Sequence, residues 1–207
     1  MKVIAFAGST SSQSINKRLA TYVSSLFVPA EIQVLDLNDF EVPIYSSDKE
    51  TESGVPDKIL ELAELLDIAN LIVLSLAEHN GSYSAAFKNT YDWLSRVPDR
   101  KVFGKTPIFL LATSPGGRGG AGVIEAAKGR MPRDGSEILD TFSLPAFYEN
   151  FGKDVMSNEM DSPTYGIELR EKVTEIKQKY FRAFYPDTSG TCGIDISKDD
   201  AGDAVEY

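Results

Sequence analysis

Three polar loops, each following an apolar run, hold the side chains of this sequence best placed to meet a ligand. The first, GSTSSQSIN from Gly8 to Asn16, offers five hydroxyls, a side-chain amide and the backbone N–H groups of a helix start. That combination can cradle a phosphate dianion. With one glycine and no suitably placed lysine it matches neither the GxGxxG nor the GK[ST] pattern, and a serine-rich turn that merely caps a helix has the same composition. The second, AEHNGSYS, leaves Glu78, His79, Asn80 and Gly81 at the end of a strand. The third, TSPGGRGGAG from Thr113 to Gly122, has five glycines in ten residues. Backbone amides there could approach a flat ligand where a side chain would obstruct it, and the helix that follows is expected to aim its positive end at that ligand. A mobile surface loop is the plainer alternative.

These residues favour some chemistries and argue against others. Glu78 lacks a second carboxylate for paired acid–base work, and His79 lacks a nucleophile in a GxSxG setting. A surface-loop histidine is the plainer reading of His79. It is the only histidine, and Cys192 the only cysteine, so a His/Cys metal centre and an internal disulfide are both out of reach. Cys192 lies in TSGTCGID with no histidine nearby, and an inert thiol is expected. A formal net charge of −10 argues against broad binding to nucleic acid or anionic membrane.

The elements that must position these loops alternate. KVIAFA (Lys2 to Ala7) reads as a buried strand, and Ser14 can cap a helix running to about Phe27. EIQVLDL (Glu31 to Leu37) reads as a second strand followed by a long surface loop to Gly54. Pro56 opens a helix with Ile59, Leu62, Ala63, Leu66 and Ala69 at helical spacing. LIVLSL (Leu71 to Leu76) shows no polar alternation, the mark of a strand buried on both faces. Ala85 to Arg96 follows as a helix, Thr106 to Ala112 as a strand, Ala121 to Met131 as a helix, Glu137 to Leu144 as a strand and Ile167 to Phe184 as a closing helix. Five strands and five helices in this order call for a doubly wound α/β fold with a parallel sheet and helices on both faces. Ligands in such sheets sit beyond the carboxyl ends of the strands.

At these three loops the sequence resembles the NAD(P)H-dependent FMN reductase family, flavodoxin-like enzymes that include quinone, azo-dye and chromate reductases. The family's first loop reads G-S-x-R-x-x-S-x-N. Gly8, Ser9, Ser14 and Asn16 stand in register and Ser11 replaces the arginine. The second reads P-E-Y-N-x-S, followed by L-K-N and D-W-L-S-R. Glu78, Asn80, Ser82, Lys88, Asn89, Asp92 and Trp93 match, with Ala77 in place of proline and His79 in place of tyrosine. The third resembles S-x-G-x-x-G-G. The resemblance covers roughly residues 1–184.

It implies a flavodoxin-like, five-stranded sheet of order 2-1-3-4-5 and an FMN site. Ser9, Ser11, Gln13, Ser14, Ile15 and Asn16 would take the phosphate, and Ala77, Glu78, His79, Asn80 and Gly81 the ring edge. Ser114, Pro115, Gly116 and Gly117 would take the pyrimidine side, with the helix after Gly120 tuning the reduction potential. Lys17 and Arg18 are the cations that could replace the lost arginine. No side chain is expected to act as nucleophile or buried acid pair, because the cofactors FMN and NADPH or NADH carry the chemistry. A small-molecule electron acceptor and a homodimer or homotetramer are implied as partners. Rival readings are a flavodoxin-type electron carrier and a non-catalytic paralogue that has lost FMN.

Length and composition, 207 residues with 42% hydrophobic, fit one domain over 1–185. From Phe184 to Tyr207 there are six acidic residues and one lysine, so 186–207 is expected to be an acidic solvated tail. The start MKVIAFAG lacks the apolar stretch of a signal peptide and no run approaches a membrane span, so a soluble cytoplasmic protein is expected.

Overall fold

The computed structural model describes residues 1–152 and 160–186. Cys192 and the acidic tail after Pro186 lie outside the described residues. Seven strands and seven α-helices are described: β1 (Lys2–Gly8), α1 (Ile15–Ser25), β2 (Glu31–Val34), α2 (Ser47–Ser53), α3 (Asp57–Asp67), β3 (Leu71–Leu76), β4 (Glu78–His79), β5 (Ser82–Tyr83), α4 (Ala85–Leu94), β6 (Ile108–Thr113), α5 (Ala121–Arg130), β7 (Ile138–Leu144), α6 (Phe147–Asn150) and α7 (Pro163–Tyr180). Five of the strands form one parallel sheet in the order β2-β1-β3-β6-β7, the expected flavodoxin-like arrangement.

Period-two alternation splits the central strands between two cores. Ile4, Phe6, Ile72, Leu74 and Leu110 pack with Ile59, Leu62 and Leu66 of α3 and Phe87 and Trp93 of α4. Val3, Ala5, Leu71, Val73 and Leu111 face the other way, onto Leu19 and Val23 of α1 and Leu169, Val173 and Ile176 of α7. Strands β3 and β6 are buried along their whole length, as their unbroken apolar runs require. Because the chain leaves β1 toward one face and β3 toward the other, a crevice opens between these neighbours at the carboxyl edge.

Several boundaries differ from expectation. Strand β2 stops at Val34, because the Asp36 carboxylate accepts from Asn38 N at 2.9 Å and caps a 3₁₀ turn, Leu37–Phe40, that sends Leu37 and Phe40 into the core. The segment read as one long loop therefore holds that turn and also α2, capped by Ser46. The closing helix begins at Pro163, four residues before Ile167, since proline suits the first turn, and ends at Tyr180. Beyond it, the Tyr185 hydroxyl donates to the Phe27 carbonyl and holds this last stretch against the end of α1. No helix among the described residues is long and apolar enough to cross a membrane.

Candidate cofactor site

The first loop is organised by its own hydroxyls. Ser9 Oγ accepts from Ser11 N and Ser11 Oγ from Gln13 N, both at 3.2 Å, and Ser14 Oγ caps α1 by accepting from Lys17 N at 3.1 Å. The N–H groups of Ile15 and Asn16, in the first turn of α1, are those a helix leaves without internal partners. The Asn16 side chain is buried and bridges three groups. Its Oδ1 accepts from Ser75 Oγ at 2.8 Å and from Thr113 N at 3.0 Å, and its Nδ2 donates to Thr113 O at 3.2 Å. One side chain thus clamps the start of α1 to β3 and β6.

The cations expected to compensate for Ser11 are turned elsewhere. Lys17 Nζ lies 2.5 Å from Asp36 Oδ2, and that hydrogen bond, with the one from Asn38 N, holds the Asp36 carboxyl below the usual aspartate range. The Arg18 guanidinium lies over the rings of Phe147 and Phe151, at 5.1 and 5.5 Å. Neither lines the cleft described below.

The second loop is a β-hairpin that the sequence reading missed. Glu78 pairs with Tyr83 and His79 with Ser82, and Asn80 (φ 53°) and Gly81 (φ 77°) make the turn with the paired positive φ values of a type I′ hairpin. The dipeptide Asn-Gly was the available signal, but its flanking strands are too short to show periodicity. Ser84 then caps α4 by accepting from Phe87 N at 3.1 Å, and its hydroxyl donates to Gly8 O at 2.7 Å.

Glu78 overturns one expectation. Its carboxylate accepts from Val123 N at 2.9 Å, at the start of α5, so the positive end of that helix is met first by a protein carboxylate. Gly122 makes the approach possible: a Cβ there would sit 2.8 Å from Glu78 Oε2.

The third loop is stitched to the turn after β7. Ala146 N donates to Gly116 O at 2.9 Å and Phe147 N to Ser114 O at 3.1 Å, while Ala146 itself is left-handed at φ 44°. Added Cβ atoms would meet nothing within 4 Å at Gly117, and only Ser114 Oγ, at 4.0 Å, at Gly116.

The three loops enclose a cleft of about 320 Å³. Of the expected residues, Ser9, Ser11, Gln13, Ser14, Ile15, Asn16, Ala77, Glu78, His79, Ser114 and Pro115 line it. Asn80 and Gly81 form the hairpin turn outside it, and Gly116 and Gly117 flank it without lining it. Thr113 and Tyr148 line it and were missed. Tyr148 follows β7, the fifth strand of the sheet, whose carboxyl end opens on the same edge. Among the described residues the lining carries no lysine or arginine, so the groups it offers a phosphate are hydroxyls and N–H groups. Among the described residues no three His, Cys, Asp or Glu side chains group to hold a metal.

The sequence profile of NADPH-dependent FMN reductases matches residues 1–146, more than half of the chain. This chain belongs to the NADPH-dependent FMN reductase family. It is similar to a quinone reductase of Escherichia coli (strain K12), 34% identical over 122 residues, which are 58% of this chain and 64% of that protein. An NADPH azoreductase of a Bacillus species is 28% identical over 126 residues, 61% of this chain and 66% of that one. The match to the E. coli protein thus spans just under two thirds of its length. Among solved structures, a flavoenzyme NAD(P)H:(acceptor) oxidoreductase from Paracoccus denitrificans superposes with a TM-score of 0.68 at 21% identity, covering 86% of this chain and 95% of that one, and confirms the fold.

In this FMN reductase family member, the motif residues Asn89 and Trp93 act behind the cleft. Asn89 Oδ1 accepts from Tyr45 N at 2.8 Å and its Nδ2 donates to the Val42 and Pro43 carbonyls at 3.2 Å. Trp93 Nε1 donates to Pro43 O at 2.7 Å, with its ring edge-to-face to Tyr45. Together they fix the strap that the sequence reading left irregular. Lys88 and Asp92 form an exposed pair one helical turn apart.

Proposed function

We propose that the chain binds FMN in this cleft and reduces a small-molecule acceptor such as a quinone or azo dye at the expense of NADPH or NADH. The observation that carries the reading is the convergence of the family's three loops on one cleft, clamped by Asn16. The donor set fits the cofactor: hydroxyls of Ser9 and Ser11 and the N–H groups of Ile15 and Asn16 for the phosphate, and the segments Ala77–His79 and Ser114–Gly117 for a flat ring. The cleft volume lies at the lower end of the range for small-molecule sites. Bound FMN would supply reversible hydride acceptance. The protein's own part is to hold the phosphate without a cation, to present backbone to the ring and to keep His79 at the cleft.

We read the rest in the same terms. A homodimer or homotetramer is the assembly this reading favours, and Ile44, 78% exposed beside α4, is apolar surface such a contact would cover. The cytoplasm, where NAD(P)H is available, is the compartment assigned.

Anaerobic NADPH added to the FMN-loaded protein tests the reaction. Bleaching of the flavin absorbance, recovered on adding a quinone, is expected. A protein that binds FMN but shows no bleaching would be an electron carrier of the flavodoxin kind.

A further inference from the structure

Reduction of a quinone to a hydroquinone takes two electrons and two protons. NAD(P)H gives up a hydride, which is both electrons and one proton, and becomes NAD(P)+. The second proton must come from an acid at the acceptor's oxygen.

Three titratable side chains line the cleft: Glu78, His79 and Tyr148. The Glu78 carboxylate is engaged on Val123 N, and successive strand residues point to opposite sides, so His79 is turned away from that anchor. Tyr148 lines the first cleft alone. His79 also lines a second cleft, again of about 320 Å³, that adjoins the first across Ser9 and Ser11 and is walled further by Thr10, Ser84 and Ala85. Among the described residues that second cleft contributes no other titratable group, and neither α4 nor α5 carries an acidic residue in its first turn.

Resting on the FMN reading, we propose that His79 is the acid of the reductive step: its imidazolium gives the second proton to the oxygen of an acceptor seated in the adjoining cleft and is reprotonated from solvent. The hydride and this proton together convert the quinone to its hydroquinone, and NAD(P)H is the species oxidised. The lone histidine, on a hairpin pinned by Glu78 and turned by Asn80–Gly81, stands where the two clefts meet.

His79→Gln keeps a polar side chain and removes the acid. With both proteins saturated with FMN, NADPH oxidation is measured with a naphthoquinone, which needs the proton, and with ferricyanide, which takes electrons alone. The quinone rate of the variant, relative to its ferricyanide rate, should fall by about a hundredfold. A second readout needs no turnover. The single histidine gives an unambiguous NMR ring signal, which should move when FMN is added to apo-protein and again when naphthoquinone is added to the oxidised, loaded protein. Equal loss with both acceptors, no loss with quinone, or a signal that ignores the quinone would overturn the assignment. If wild-type apo-protein fails to bind FMN, the functional reading falls first and this one with it.

Discussion

The carboxylate of Glu78 accepts a hydrogen bond from the backbone N–H of Val123 at 2.9 Å, joining the base of the hairpin to the first turn of α5. The contact does two things: it satisfies a helix N-terminus with a negative charge, and it fixes the residue beside it, His79, at the cleft.

Removing that cap should cost stability. Glu78→Ala is expected to destabilise by about 1 kcal/mol, as loss of a capping side chain does. Gly122→Ala should cost less, because its Cβ would meet only the end of the flexible Glu78 side chain, 2.8 Å away, and alanine suits a helix better than glycine. In a chain of this size the Glu78→Ala loss should lower the thermal midpoint by roughly 2–4 °C. A double variant no worse than Glu78→Ala alone would show that both act on the same contact.

Asn16 should matter more. Asn16→Ala strands the Ser75 hydroxyl and both backbone groups of Thr113 in a buried setting. Unsatisfied buried groups cost roughly 1–3 kcal/mol each before water or relaxation relieves them, so a loss of about 3 kcal/mol is expected in urea denaturation. Asn16→Asp should be at least as damaging, since it turns the donor facing Thr113 O into an acceptor.

The pair Lys17–Asp36 predicts a pH dependence. Its carboxyl is held below the ordinary aspartate range by Lys17 and then by Asn38, so its stabilisation is fully present above about pH 3.9, the unfolded value. It is lost as pH falls through the lower, folded value. Both side chains are about a third exposed, which limits the effect to less than about 1 kcal/mol. The stability gap between wild type and Asp36→Asn, measured at pH 7, should therefore narrow as pH falls below about 3.9 and stay constant between pH 6 and 8.

Ser11→Arg tests the missing charge. With Lys17 on Asp36 and Arg18 over Phe147 and Phe151, no lysine or arginine among the described residues lines the cleft. An arginine on this loop should tighten FMN binding by about 1–3 kcal/mol, and the gain should shrink as salt rises. Unchanged affinity at low salt would show that the phosphate lies elsewhere or that its charge is already met.

How much of this was legible in the sequence depends on the range of the interactions. Strands β1, β3 and β6 announced themselves as unbroken apolar runs because each is buried on both faces, and Ser14 announced α1 as a local cap. The cleft followed from strand order. The clamp by Asn16 did not, because its partners Ser75 and Thr113 lie 59 and 97 residues away and meet it only through the register of three strands. Glu78 reads as a lone carboxylate in the sequence, 45 residues from the helix end it caps. The fate of Lys17 was likewise set by Asp36, which caps a 3₁₀ turn just past a strand whose early end the sequence did not reveal.

The most direct measurement is a titration of wild-type apo-protein with FMN, followed by quenching of flavin fluorescence. The account predicts saturable quenching with one FMN per chain at or below micromolar concentration, weakened severalfold or more by Asn16→Ala, which loosens the clamp. Absence of quenching up to high micromolar FMN would contradict it.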